Sequence, residues 1–248
     1  MNQQPLAIAT IFLFIFLGLF VIFLIRVSAG HWPVLRRIRA FEAIKGLTSR
    51  AVETGRGLHL SLGIGGVADE TTADSLAGLS IVNYLAEQAA VTGVAPTVSM
   101  ANPTLMLFAQ NVIQAIHLND PSGGEDTYRN VRWIAPQPAA YAAGVMNLMN
   151  IDQPEANVMV GFFGDEYLLM GETAARRRLG HIGGTSNPNT LPFVYASAEE
   201  TLLGEEIYAA GAYLQQHPAQ VASLVTQDTM RLLVALFIFT GILLASMS

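Results

Sequence analysis

The chain has 248 residues, 52% of them apolar and only 13% charged, with a net charge of −6 and no cysteine. A soluble domain carries about 25% charged residues, so this composition points to a membrane; the lack of cysteine excludes disulfides, thiolate metal sites and a cysteine nucleophile. Seven of the thirteen basic residues fall between Arg26 and Arg56 and the rest of the chain is acidic, which argues against nucleic acid as a partner.

Residues 1–30 read as a first anchor. The run LAIATIFLFIFLGLFVIFLI, 6–25, carries no charge, and a helix of that length spans a hydrocarbon core of roughly 30 Å. A cleaved signal peptide wants a basic start, a shorter apolar core and a small-residue cleavage site. Here MNQQP has no charged side chain and the basic residues follow the apolar run, so a retained transmembrane helix is expected.

Residues 31–56 read as a basic juxtamembrane helix. Val34, Leu35, Ile38, Phe41, Ala43, Ile44 and Leu47 recur at helical spacing, with Pro33 suited to a first helical position. Two roles stay open: packing on the domain that follows, or lying on an anionic leaflet with Trp32 at the interface. Arg26, Arg36, Arg37, Arg39, Lys45 and Arg50 place this side of the anchor in the cytoplasm of a bacterial inner membrane, with both termini outside.

Residues 57–217 alternate short β-rich runs with helical patterns, which predicts a Rossmann-like α/β domain: a parallel five-stranded sheet with helices on both faces. The strands are expected at 58–62, 97–100, 131–135, 157–161 and, weakest, 181–183, in the order 3-2-1-4-5 or else 2-1-3-4-5. Helices are expected at 71–90, 104–117, 139–150 and 165–179, then at 191–203 and 204–216; 118–130, with PSGGED, reads as a surface loop. Residues 218–248 form a C-terminal helix opened by Pro218, including a second apolar run at 232–247 preceded by Arg231.

Ligands of such sheets bind at the carboxyl ends of the strands. Those ends hold Gly63, Gly65, Gly66, Asn102, Gln137, Asp165, Glu166, Thr185, Ser186 and Asn187, of which Gly63, Gly65, Gly66, Asn102, Asp165, Thr185 and Ser186 are the candidate ligand-binding set. The run GIGGVA, Gly63 to Ala68, matches the dinucleotide pattern G-x-G-x-x-[GA] between a strand and a helix. A nucleotide would use the helix N-terminal amides there, but Asp69, Glu70 and Asp74 would repel its phosphates, and no acidic residue ends the second strand to hold a ribose. A structural tight turn explains the glycines equally. Asp165 suits a general base or metal ligand, or else an N-cap. The five histidines lack ligand spacing, and neither a G-x-S-x-G elbow nor a phosphate loop is present, so no catalytic residue, metal or firm cofactor is expected.

The stretches RGLHLSLGIGG, TADSLAGL, ANPTL, AAYAAGVMNLM, ANVMVGFFGDE and GEEIYAAGAYL resemble a family of bacterial membrane proteins known only as a domain of unknown function. The resemblance runs from about residue 55 to the second anchor and implies a membrane-associated α/β domain. It brings no reaction, ligand or site residue with it. The expected function is a non-enzymatic structural or scaffolding subunit, in a homo-oligomer or a larger membrane complex; the alternative is a nucleotide- or small-anion-binding sensor. Gly18, Gly241, Ala245 and Ser246 in the anchors, and the Ala/Gly-rich stretches 139–149 and 208–214, offer small residues for close helix contacts between subunits.

Overall fold

The computed structural model describes residues 3–117 and 128–247. Most of the loop expected at 118–130 lies outside the described residues. The chain forms two compact units, one of 1–36 with 215–248 and one of 37–214.

In the first unit, α1 (Gln3–Ser28) and α9 (Pro218–Met247) pack against each other. The stretch Ala9–Ser28 has a mean hydropathy of 2.8 and Pro218–Ser246 one of 2.0, so both helices are long and apolar enough to cross a membrane. The helix opened by Pro218 runs unbroken into the second apolar run. Phe14, Ile25, Phe237 and Leu244 stay exposed, side chains that water would not tolerate in such density.

The second unit carries a six-stranded, wholly parallel sheet: β1 (Leu58–Gly63), β2 (Thr97–Met100), β3 (Val131–Trp133), β4 (Ala156–Phe162), β5 (Gly180–Thr185) and β6 (Glu200–Leu203), ordered β3-β2-β1-β4-β5-β6. The expected order 3-2-1-4-5 is found, and a sixth strand corrects the expected five. Where a helix over 191–203 was expected, α7 (Leu191–Ser197) stops short and ETLL extends the sheet beside β5. ETLL adjoins a stretch of helical pattern, which masks it. The helix expected at 204–216 is likewise a 3-10 turn, Gly204–Ala209, followed by the short α8 (Ala210–Leu214).

Helices α3 (Thr72–Thr92), α4 (Pro103–His117), α5 (Pro138–Asp152) and α6 (Glu166–Arg176) follow the first, second, third and fourth strands. On one side α3 lies so close that a Cβ at Gly78 would meet the Leu62 side chain and the Val160 carbonyl, each at 2.7 Å. On the other, Tyr141, Val145 and Met149 of α5 and Tyr167 and Met170 of α6 form a core with Met159 and Phe163. Alternate residues of each strand therefore serve different helices.

The juxtamembrane helix begins at Arg39, not near Pro33: α2 spans Arg39–Thr54, and 31–38 are not helical. Val34 is exposed, while Ala40, Phe41, Ile44, Leu47 and Ala51 are buried, so the helix starts where packing begins. Phe41 stacks on Tyr213 at 5.0 Å. Packing on the domain, one of the two roles left open, is realised. The small-residue stretches pack internally on one side: Tyr141, Ala142 and Val145 are core, a Cβ on Gly144 would strike Ile134, and Ala209, Ala210, Gly211 and Ala212 are buried in their own unit, while Ala139, Ala140, Ala143 and Tyr208 stay exposed.

Two glycine substitutions test the packing. Gly78→Ala gains helix propensity yet should lower the unfolding free energy by about 1–3 kcal/mol, because its methyl meets the Val160 backbone. Gly46→Ala, in α2 with nothing within 4 Å of the new methyl, should raise it by about 0.4–1 kcal/mol. Denaturant titration of both variants measures the contrast.

Candidate functional site

The strand order reverses direction between β1 and β4, and an open sheet holds its ligand in the crevice at the carboxyl ends of that pair. Gly63 ends β1 with φ +79°, and a Cβ there would run into the carbonyl of Phe162. Only glycine lets the chain leave β1 so close to β4. The Ile64 amide then donates to that same carbonyl at 2.9 Å.

Beyond this point the loop departs from a dinucleotide fingerprint. Eight residues, 64–71, separate β1 from α3, and Ala68 is exposed with φ +72°, four residues before the helix starts. The fingerprint's last position would pack a helix on a strand; here it does not. The Gly66 amide donates to Thr71 Oγ1 at 2.7 Å, and the Thr71 hydroxyl and amide donate to Asp69 Oδ1 at 2.6 and 2.8 Å. The chain's own carboxylate thus ends a relay from the loop amide, where a nucleotide would offer a phosphate.

The other candidate residues are also tied to the chain. Asn102 lies beside Gly66, and its Oδ1 accepts the amides of Thr104 and Leu105, capping α4. Asp165 occupies the N-cap position of α6, exposed and without a capping bond from its side chain. Its neighbour Glu166 accepts the Gly164 amide at 2.8 Å instead, and burial pushes the Glu166 carboxyl above the usual range against that bond. Thr185 is buried at the end of β5 and accepts the Asn187 amide, with Ser186 half-buried beside it. Asn187 Nδ2 and the Thr190 hydroxyl both donate to the Phe163 carbonyl at 2.8 Å, joining the loops after β4 and β5. Two acceptors are left over: Asp74 Oδ1 and Ser75 Oγ, buried on the first turns of α3, have no hydrogen-bond partner. The edge thus retains two buried oxygens without a hydrogen-bond partner.

A second polar assembly lies inside the domain, unmarked by any sequence motif. His59, Ser61, Ser99, Asn157 and His181 stand on one face of four adjacent strands, all buried, under Tyr141 of α5 and Tyr167 of α6. His59 Nδ1 donates to Asn157 Oδ1 at 2.6 Å, so its Nε2 accepts the Ser99 hydroxyl at 2.9 Å. The Tyr141 hydroxyl bonds Ser61 Oγ at 2.7 Å and donates to the Ser99 carbonyl at 3.2 Å. His181 Nδ1 donates to the Asn157 carbonyl at 3.1 Å, which leaves Nε2 to accept the Tyr167 hydroxyl at 3.2 Å. Burial holds both imidazoles neutral, His59 below its ordinary value and His181 down to about 4, and pushes Tyr141 up to about 12. With both rings neutral and both tyrosines protonated, the ladder is a satisfied hydrogen-bond network with no charge to transfer. The signal was present in the strands LHLSL, TVSM, NVMV and GHIGG, whose polar residues fall on the face that helices must cover.

Among the described residues no group of three histidines, aspartates or glutamates is placed to hold a metal ion. A family model described as a domain of unknown function (DUF6754) matches residues 2–248. No curated protein and no solved structure matches the chain.

The neutral histidines set an acid limit on stability. Between pH 6.5 and about 4 the unfolded His181 takes up a proton that the folded ring refuses. Stability should therefore fall as pH drops through that window, by on the order of 3 kcal/mol for this residue, with His59 adding in the same direction. Urea midpoints measured from pH 7.5 down to pH 4 check this; a flat profile would show that the rings are not held neutral.

Proposed function

We propose that this chain, which belongs to the DUF6754 family of domains of unknown function, is a non-enzymatic membrane-anchored subunit that assembles with copies of itself or within a larger membrane complex. The observation that carries this reading is the carboxyl edge. There Asp69, Thr71, Asn102, Glu166, Asn187 and Thr190 are engaged with the chain's own backbone and side chains, and no nucleophile–base pair is formed among them. Part of what the domain offers outward is apolar. On α4, Leu105, Ala109 and Ile113 face the core, and Leu107 and Phe108 stand exposed, as does Leu76 of α3. In the anchors, the exposed residues of 11–25 and 232–244 are almost all apolar and suit lipid or other helices.

The α/β unit faces the cytoplasm of a bacterial inner membrane in this reading, supported by the arginines that follow α1. The chain has no cysteine, so Val91→Cys, at an exposed position of α3, provides a single label site. A membrane-impermeant maleimide should label it only after the cells are opened; labelling of intact cells would reverse the orientation.

A second reading, ligand sensing at the carboxyl edge, draws support from Asp74 Oδ1 and Ser75 Oγ. The Asp74 carboxylate suits a donor-bearing ligand and works against the nucleotide or small anion expected from the glycines, while the Ser75 hydroxyl can donate or accept. The two readings separate on one experiment. Gentle detergent extraction and native mass measurement should give a multimer, and Leu107→Glu with Phe108→Glu should weaken it at least about tenfold, the effect of losing on the order of 1.4 kcal/mol of contact. A monomer in several mild detergents, carrying a bound small molecule, would replace the scaffold with a sensor.

A further inference from the structure

At the opposite, amino edge of the sheet lies a pocket of about 160 Å³. Its floor is the buried His59, both of whose ring nitrogens are already engaged, and Leu148 and Pro154 give it apolar walls. At its mouth Arg132 of β3 faces Asp152, the last residue of α5. Thr97, at the start of β2, brings a hydroxyl to the same space.

The charged pair at this mouth is loosely made. Arg132 Nη1 reaches Asp152 Oδ2 at 3.4 Å, and the two side chains are 39% and 35% exposed. So open a pair contributes little to stability, and a single contact leaves further guanidinium N–H groups and the other carboxylate oxygen available. The site therefore offers one cation and one anion side by side, a hydroxyl, and a short apolar wall. Asp152 also stands at the C-terminal end of α5, where the helix dipole adds to its attraction for a positive group. Volume limits what can enter. Sites for nucleotides and drug-sized ligands run to about 300–1,000 Å³, whereas this space corresponds to about five waters at roughly 30 Å³ each.

We propose that this amino-edge pocket binds a small zwitterion with adjacent ammonium and carboxylate groups, a free amino acid with a short apolar side chain. The carboxylate takes the unused N–H groups of Arg132, the ammonium takes Asp152, and the side chain lies against Leu148 and Pro154. Molecules with one charge alone satisfy half of the site and leave the other half as it was. Occupation also alters the field at His59, on which Asp152 and Arg132 already act in opposite senses.

The test uses the full chain in detergent, titrated with alanine by calorimetry while the imidazole NMR signals are followed. Alanine should bind saturably and move the His59 resonances, while propionate and ethylammonium should not. Arg132→Gln and Asp152→Asn should each weaken binding at least about tenfold. Leu148→Phe, which fills the pocket and leaves both charges in place, should abolish it with the fold intact by circular dichroism. No saturable binding of alanine below about 10 mM, a range weaker than ordinary small-ligand affinities, would overturn the proposal. So would equal binding of propionate, or full affinity in both charge variants.

Discussion

A single hydrogen bond of 2.6 Å, from His59 Nδ1 to Asn157 Oδ1, joins the two central strands β1 and β4 inside the covered sheet. A parallel sheet with helices on both faces has no solvated side on which to place polar groups. Every polar side chain in it must be answered by another, since an unpaired buried donor or acceptor costs about 1–3 kcal/mol. A slip of one residue between β1 and β4 would turn His59 toward the apolar face under α3 and orphan Asn157. The ladder thus discriminates against wrong registers more than it adds to stability. Through Tyr141 and Tyr167 it extends the same discipline to the placing of α5 and α6.

The two edges of the sheet have different chemistry because the backbone treats them differently. At the carboxyl edge each loop must turn into a helix, and the first-turn amides need acceptors. Asn102 supplies them for α4, while Asp69 and Glu166 accept the Thr71 and Gly164 amides just before α3 and α6. At the amino edge, helix ends bring carbonyls and Asp152 toward the strand starts, and a glycine-proline-flanked opening remains between β1 and α5. A glycine-rich turn is therefore no guide by itself to which edge accepts a ligand.

Much of the fold was legible because periodicity is a consequence of burial. The helices showed 3.6-fold patterns over enough residues to be recognised, and four β-rich runs stood out by their turn residues and by alternating with those helices. What escaped was short or decided by distant contacts. ETLL could not announce itself as β6, and the start of α2 depends on where Phe41 finds Tyr213. At the carboxyl edge, the positions of Gly63, Asn102 and Thr185 at strand ends could be read, yet their hydrogen bonds could not, because Thr71 and Asp69 reach back across a loop whose conformation no local rule sets. The buried histidines were visible as letters on the inward face of strands. Spacing rules built for metal ligands passed over them, since the network they belong to is drawn from four different strands and two helices.

Gly183 and Tyr167 share one volume: the phenol hydroxyl that reaches His181 fills the space a Cβ at position 183 would need. Any side chain gained at 183 displaces the phenol, and a smaller ring at 167 opens a hole beside the glycine and strands His181 Nε2. Neither position can drift alone without passing through a damaged intermediate. Over evolutionary time the pair, with 181, should behave as one inherited unit, changing together or not at all.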